Sequence, residues 1–513
     1  MKFAIISSLV LSILHSVLFY GQNLGISVFL FAIVGVFIFI EILRKNEKIK
    51  NKKPLLLSVP IILLSATYFL FNNEFFNNFN MLVIIILFLI MIIWSVLGKL
   101  QFGRIIENIC VLIFGSLTEV GGAAREISNN FSTNKKEIIQ DKKEKVKNKK
   151  GKQILKGVLI SLPLLIVIIV LLVSADEMFA NIIGNIFGDL IKNIVNLINV
   201  RTIYSILFRI IIITLLTIYF ISFILNIKND KLDGEEFKNK KGIKIDGTIL
   251  NTVLTLVNVV YLLFSATQII QAFNNITNGG VQNYSTYART GFFQLMAVSF
   301  INFAIIFISK NNKNEENNKN YTKTLNVWLA IFTVVILISS VLKMNLYAAE
   351  YGYTFLRIAV YFIQVTELIL IVPTIIYILK EKFDILSWYI TIIVTMYVIL
   401  NFSNVDYIIA KKNIDKYFNE TDSRKAEIDI DYLISDTSTD AISQIKRLLD
   451  VEDNNIKTKV NNYLWSQKQE LLSENKTWQS FNLSKYRAKK ELENTNVKSK
   501  MNLKINDFRS NEI

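Results

Sequence analysis

Apolar runs long enough to cross a bilayer dominate this chain and leave few folds open to it. A helix needs about 20 such residues to span the hydrocarbon, and its backbone polar groups must then be bonded within the segment. Eleven runs qualify: 3–20, 24–43, 54–71, 81–97, 154–173, 202–227, 248–270, 292–309, 325–342, 355–379 and 385–400. Only 19% of the 513 residues are charged, below the quarter or so of soluble domains. The fold class that follows is all-α: a polytopic transmembrane helix bundle of about 11 spans with a C-terminal helical tail outside the membrane.

The formal net charge of +16 sits mainly in short connections such as 44–53 and 135–152. That pattern sets topology, with Lys and Arg kept on the cytoplasmic side, and it makes nucleic acid an unneeded partner. The connection 72–80 has neither Lys nor Arg and reads as an outer loop. Eleven crossings from a cytoplasmic N-terminus place the C-terminus outside the cytoplasm. The heavy use of Asn, Ile and Lys fits a bacterial cytoplasmic membrane. Four regions follow: an N-terminal four-helix membrane segment (1–98), a basic cytoplasmic connector (99–153), a seven-helix core (154–402) and the tail (403–513). Within the connector, Arg104, Glu107 and Glu119 interrupt an apolar stretch, which reads as an interfacial helix. Residues 179–195 carry an amphipathic pattern for an outer-surface helix. The tail shows helical patterns at 439–449 and 461–472, and is expected to be loose from Glu491 onward.

Familiar chemistry is absent. A single Cys110 and a single His15 exclude an internal disulfide, a cysteine metal cluster and a multi-histidine site. The sequence holds no Gly-rich phosphate loop, no H-E-x-x-H and no nucleophile elbow. No catalytic residue, metal ligand or cofactor is therefore assigned. One apolar run is nonetheless polar along one face. Tyr353, Arg357, Tyr361, Gln364 and Glu367 fall within about a third of the helix circumference. Glu367 lies about 15 Å deeper than Arg357 along the axis, where an acid normally faces a protein interior or a watery cavity. Pro373 in the same run removes a backbone donor. Arg209 lies in the sixth run, where it either snorkels to headgroups or pairs with an interior acid.

Several blocks are also recognisable. Y-A-R-T-G-F-F-Q-L (287–295), L-Y-A-A-E-Y-G-Y-T-F-L-R (346–357), S-A-D-E-M-F (174–179), V-D-Y-I-I-A-K-K-N-I-D-K-Y (405–417) and I-D-Y-L-I-S-D (430–436) together resemble the bacterial polytopic membrane proteins of domain of unknown function 4173, a relative of group 4153. The resemblance covers roughly residues 154–449. It implies a membrane location and supplies no reaction. In the predicted topology the first three of these blocks lie at the outer mouth. Asp176, Tyr287, Arg289, Tyr351 and Arg357 are therefore expected to meet there and to lead inward past Tyr361 and Gln364 to Glu367. Such a site would take a small anionic or zwitterionic ligand or a lipid, or would dock the tail. The leading functional reading is a non-enzymatic protein with an outward-facing polar cavity for transport or ligand sensing. The rivals are a structural or regulatory protein that binds envelope or signalling partners through its tail and basic loops, and a membrane enzyme acting on lipid or polymer precursors.

Overall fold

The computed structural model describes residues 2–100, 102–127, 200–229, 232, 246–277, 292–312, 319–419, 428–474 and 477–497, and regular structure among them is entirely helical. Ten of these helices are long and apolar enough to cross a membrane. They coincide with ten of the eleven predicted runs, while run 154–173 and the amphipathic stretch 179–195 lie outside the described residues. The interrupted stretch in the connector forms two helices, Ile105–Thr118 and Val120–Ile127, bent by 52°; taken as one broken span they would make an eleventh.

The chain separates into two compact units, Met1–Gly21 with Cys110–Lys231, and Gln22–Ile109 with Leu232–Ile513. In the first, α1 (Lys2–Phe19) packs along a long helix, Val200–Lys228. Ala123, Ile221 and Leu225 are buried there, and the Asn226 side-chain amide donates to the Val111 carbonyl at 2.8 Å.

The second unit carries the other eight candidate spans and a helical domain. Its first membrane group is α2 (Ile26–Lys45), α3 (Ser58–Leu70) and α4 (Glu74–Leu97). Its second is α7 (Gly247–Thr277), α8 (Phe292–Asn311), α9 (Lys319–Tyr351) and α10 (Phe355–Leu379), followed by α11 (Ile385–Phe402); α5 denotes Ile105–Thr118 and α6 Val200–Lys228. Helix α11 packs on both α10 and α3 and so joins the two groups. Ile61, Leu64, Leu87 and Met91 centre one apolar core, and Leu254, Ile306, Leu329 and Ala330 centre the other. Polar residues tie the helices together where lipid offers no hydrophobic drive between them. Asn80 donates to Thr67 Oγ1 (3.0 Å) and to Asn401 Oδ1 (2.7 Å) and accepts from the Tyr397 hydroxyl, linking α3, α4 and α11.

The structure corrects two expectations. Residues 74–80 are the first turns of α4 and not a loop. The Asn73 side chain caps them by accepting from Phe76 N at 3.0 Å, and Phe75 and Phe76 pack against Phe355. In the tail, Glu491 lies inside a helix and Leu492 is fully buried, so the described residues to 497 are held by packing.

That tail is a domain of α12 (Val405–Asn419), α13 (Ile430–Ser435), short turns over 439–450, α14 (Asn454–Ser473) and α15 (Leu483–Glu493). Ile409, Ile414, Leu433, Ile445, Leu448, Val460 and Leu464 form its core, which continues into Phe76 and Ile358 of the bundle. The domain covers the bundle end formed by the connections 22–25, 71–73 and 352–354. Ile26 N donates to the Phe481 carbonyl at 3.1 Å. The backbones approach so closely there that a Cβ on Gly25 would lie 2.6 Å from the Ser480 carbonyl carbon.

Gly352 sits at a second close approach. Its φ of +76° is left-handed, and a Cβ would lie 2.6 Å from Asn413 Oδ1. Backbone strain of that kind costs on the order of 1–3 kcal/mol in a non-glycine residue, and the clash would also displace Asn413. Gly352→Ala is expected to lower the melting midpoint of the detergent-extracted protein more than Gly21→Ala. Gly21 is also left-handed (φ +69°), yet open space surrounds it. Equal midpoints for the two variants would count against the joint described below.

Candidate functional site

The carboxy end of α9 presents four successive carbonyls, the groups a helix leaves without internal partners. Lys416 of α12 donates to Ala349 O (2.6 Å) and Glu350 O (3.1 Å). Arg357, one turn into α10, donates to Tyr351 O (2.7 Å) and to Gly352 O. The same guanidinium lies 4.5 Å over the Tyr347 ring and reaches its hydroxyl at 3.3 Å. Two cations thus close the negative end of the helix dipole. The next residue is held by an amide pair: Tyr353 N donates to Asn413 Oδ1, and Asn413 Nδ2 to Tyr353 O, both at 2.7 Å. Phe355 N then donates to the Tyr432 phenol oxygen at 2.8 Å. Three of the recognisable blocks (346–357, 405–417 and 430–436) therefore meet in one joint.

A second set of contacts fixes the domain to α3 and α4. Asn482 Nδ2 donates to Tyr68 O (2.9 Å) and Phe71 O (2.7 Å). Asp440 accepts from Asn72 N at 2.8 Å. Asp406, 2% exposed, accepts from the Asn73 side chain (2.8 Å) and from Ser438 N (3.1 Å). Nothing in the sequence marks Asp406, Asp440, Asn413 or Asn482 as partners of these connections, because Asn482 and Tyr68 are 414 positions apart.

Between the bundle end and the domain lies a cleft of about 1070 Å³. Its walls include Asn72, Asn77 and Asn78 from the bundle side and Asp436, Tyr463 and Glu470 from the domain. Glu74 adds a third acid besides the engaged Asp406. Lys485, the one basic lining residue among those described, pairs with Glu474 at 2.7 Å. Burial, with the Asp406 and Glu470 charges adding to it, pushes the Tyr463 phenol up to about 12, so it stays a donor. The lining is thus polar, rich in amides and net acidic.

The predicted site residues separate into distinct places. Asp176, Tyr287 and Arg289 lie outside the described residues. Arg209 belongs to the other unit, where its guanidinium lies 4.4 Å over the Tyr20 ring. Tyr351 and Arg357 come together in the joint. Tyr361 donates to Asn345 Oδ1 at 2.7 Å, and Gln364 to Ser340 Oγ at 2.8 Å, both lacing α10 to α9. Glu367 is 1% exposed within the bundle and does not line the cleft, which reaches α10 only at Phe355 and Leu356.

Burial raises both Asp406 and Asp440, and the charge of Asp440 adds to the shift at Asp406. An acid raised in the folded state holds its proton there more tightly than in the unfolded chain. Its contribution is full below the unfolded value near 4 and is lost as pH rises through the folded one. Melting midpoints should therefore carry a downward slope from this pair as pH rises above about 4. Asp406→Asn should flatten part of that slope, and Asp406→Asn with Asp440→Asn should flatten more. An unchanged slope in the double variant would remove the pair from the pH response.

Comparison with curated proteins and with solved structures returns no match. A family model does match, over residues 58–448. The match begins at α3, well before the blocks read from the sequence, and includes α3, α4, the second membrane group and the joint. It is to group 4153, and does not show membership of the related group 4173. Since it covers well over half of the chain, the protein belongs to the family described as "Domain of unknown function (DUF4153)".

Proposed function

We propose that this is a non-enzymatic, ligand-sensing membrane protein whose ligand enters the cleft between the bundle end and the C-terminal domain. One observation carries the reading: the cleft is lined both by Glu74 and Asn77 of a membrane helix and by Asp436 and Glu470 of the domain. Occupancy would then bear directly on how the domain sits on the bundle. Sensing is favoured over transport because the cleft ends at Leu356 and does not run along α10 to Glu367. The acid excess favours a neutral or cationic ligand bearing hydroxyl, amide or amine groups over the anionic member of the set expected from the sequence, an anionic or zwitterionic ligand, a lipid or the docked tail. The dense docking of the tail also supports a structural role, in which the cleft would be empty of ligand.

The domain-covered end faces away from the cytoplasm in this proposal. Its connections 20–25, 71–74 and 351–354 hold neither Lys nor Arg, whereas 44–53 and 380–382, on the alternate turns, are basic; such asymmetry sets orientation. With Cys110 replaced by Ser, a Glu452→Cys variant should react with a membrane-impermeant maleimide in intact cells. Reaction only after lysis would reverse the orientation.

Native mass spectrometry of the detergent-extracted protein tests the cleft. The wild type should carry a polar adduct of neutral or basic composition. Asp436→Asn with Glu470→Gln should lose most of it, at least tenfold in occupancy. An adduct unaffected by the double variant, or none in the wild type, would sink the sensing proposal.

A further inference from the structure

Glu367 is buried inside the bundle. Both of its carboxylate oxygens, and Oε1 of Gln364 one turn earlier, complete no hydrogen bond among the described residues. Gln364 is fully buried and Glu367 is 1% exposed.

The polar groups around them explain why. Ser299 of α8 approaches the Glu367 carboxyl, yet its hydrogen goes to Met296 O at 2.6 Å. Ser340 of α9 gives its hydrogen to Phe292 O (3.1 Å) and accepts from Gln364 Nε2. Thr333 gives its own to Leu329 O (2.7 Å) and accepts from Asn302 Nδ2 (3.0 Å). The Tyr261 hydroxyl goes to Asn302 Oδ1 at 2.8 Å. The Ser299, Ser340, Thr333 and Tyr261 hydroxyls therefore each direct their hydrogen to another acceptor. Of these, the Ser299 hydroxyl reaches the Glu367 carboxyl and presents its oxygen there.

Two unpartnered carboxylate oxygens one turn from an unpartnered amide oxygen are complementary to a cation. Its charge fixes the kind. One carboxylate among neutral oxygens balances one positive charge, and a divalent ion would leave an uncompensated charge in low dielectric. Oxygen donors of this type suit hard ions. Among the described residues no group of three or more His, Cys, Asp or Glu side chains could hold a metal ion, which argues against a transition metal. No Lys or Arg pairs with Glu367 among the described residues.

We propose that Glu367, with Gln364 Oε1 and Ser299 Oγ, binds one monovalent alkali cation inside the membrane bundle. The proposal is independent of the cleft, whose lining it does not share.

The test uses the full chain in detergent at fixed pH and ionic strength, melted in choline, sodium or potassium chloride. A ligand that binds only the folded state raises the midpoint in a saturable way. The wild type should melt several degrees higher in sodium or potassium than in choline. Glu367→Gln should melt alike in all three salts, and Ser299→Ala should need several-fold more cation for half the effect. Identical wild-type melting in every salt, or an intact salt response in Glu367→Gln, would overturn the proposal. A response to pH without one to sodium or potassium would assign the carboxyl to a proton and overturn it equally. Should Glu367→Gln fail to fold, equilibrium binding of radioactive sodium and of rubidium, as a potassium substitute, to the wild type decides. One ion per chain supports the site; none for either ion refutes it.

Discussion

Covering the end of a helix bundle with a second domain removes water from backbone groups that the helices themselves leave unpaired. The rest of the second unit depends on how this constraint is met. Each tooth of the joint sets a side chain of the domain, or of α10, against a backbone group of a helix end. Lys416 and Arg357 take the carbonyls of α9, Asn413 takes both groups of Tyr353, Tyr432 takes Phe355 N, and Asn482 takes the last carbonyls of α3. An unpaired buried donor or acceptor costs about 1–3 kcal/mol, so removing one tooth also leaves its partner stranded. Apolar packing around Ile409, Leu448 and Leu464 supplies the bulk of the attraction. The polar teeth determine which single placement of the domain leaves no group orphaned.

The division of labour explains what the sequence discloses. A span announces itself by length and composition, and ten runs read that way are helices here. A polar face is likewise local, since a turn of 100° per residue is enough to put Glu367 beside Gln364. The joint has no such period. Asp406 and Asn73 are 333 positions apart, and an Asp at the head of a charged helix looks solvated until its partner is brought to it. The same limit misreads residues 74–80. Asn-rich and flanked by Asn72 and Asn73, they resemble a loop, but one of those asparagines is the helix cap and the phenylalanines between them face Phe355.

Arg357 shares a helical-wheel face with Glu367 yet finds its partners beside Tyr351, as expected from the rise between them. Two opposite charges on one face invite a pairing. Ten residues of rise, about 15 Å, keep them apart. The guanidinium has nearer acceptors in the α9 carbonyls, which lie six and five residues back in sequence. Its planar fork serves two carbonyls and a ring at once, which a lysine could not do. The block 346–357 is therefore readable as the hinge end of a helical hairpin and its lock, and the lock closes on the blocks at 405–417 and 430–436.

Asn80 and Asn302 show what polar glue looks like in this bundle. Asn80 donates twice and accepts once, and Asn302 accepts from Tyr261 while donating to Thr333. An amide suits that purpose because it offers both kinds of group. Glu367 occupies an equally buried place and offers only acceptors when ionised, beside a Ser299 hydroxyl directed to Met296 O. Packing alone would be served as well by Gln or Leu, at far less desolvation cost. The proposed cation would complete those carboxylate and amide oxygens at Glu367 and Gln364.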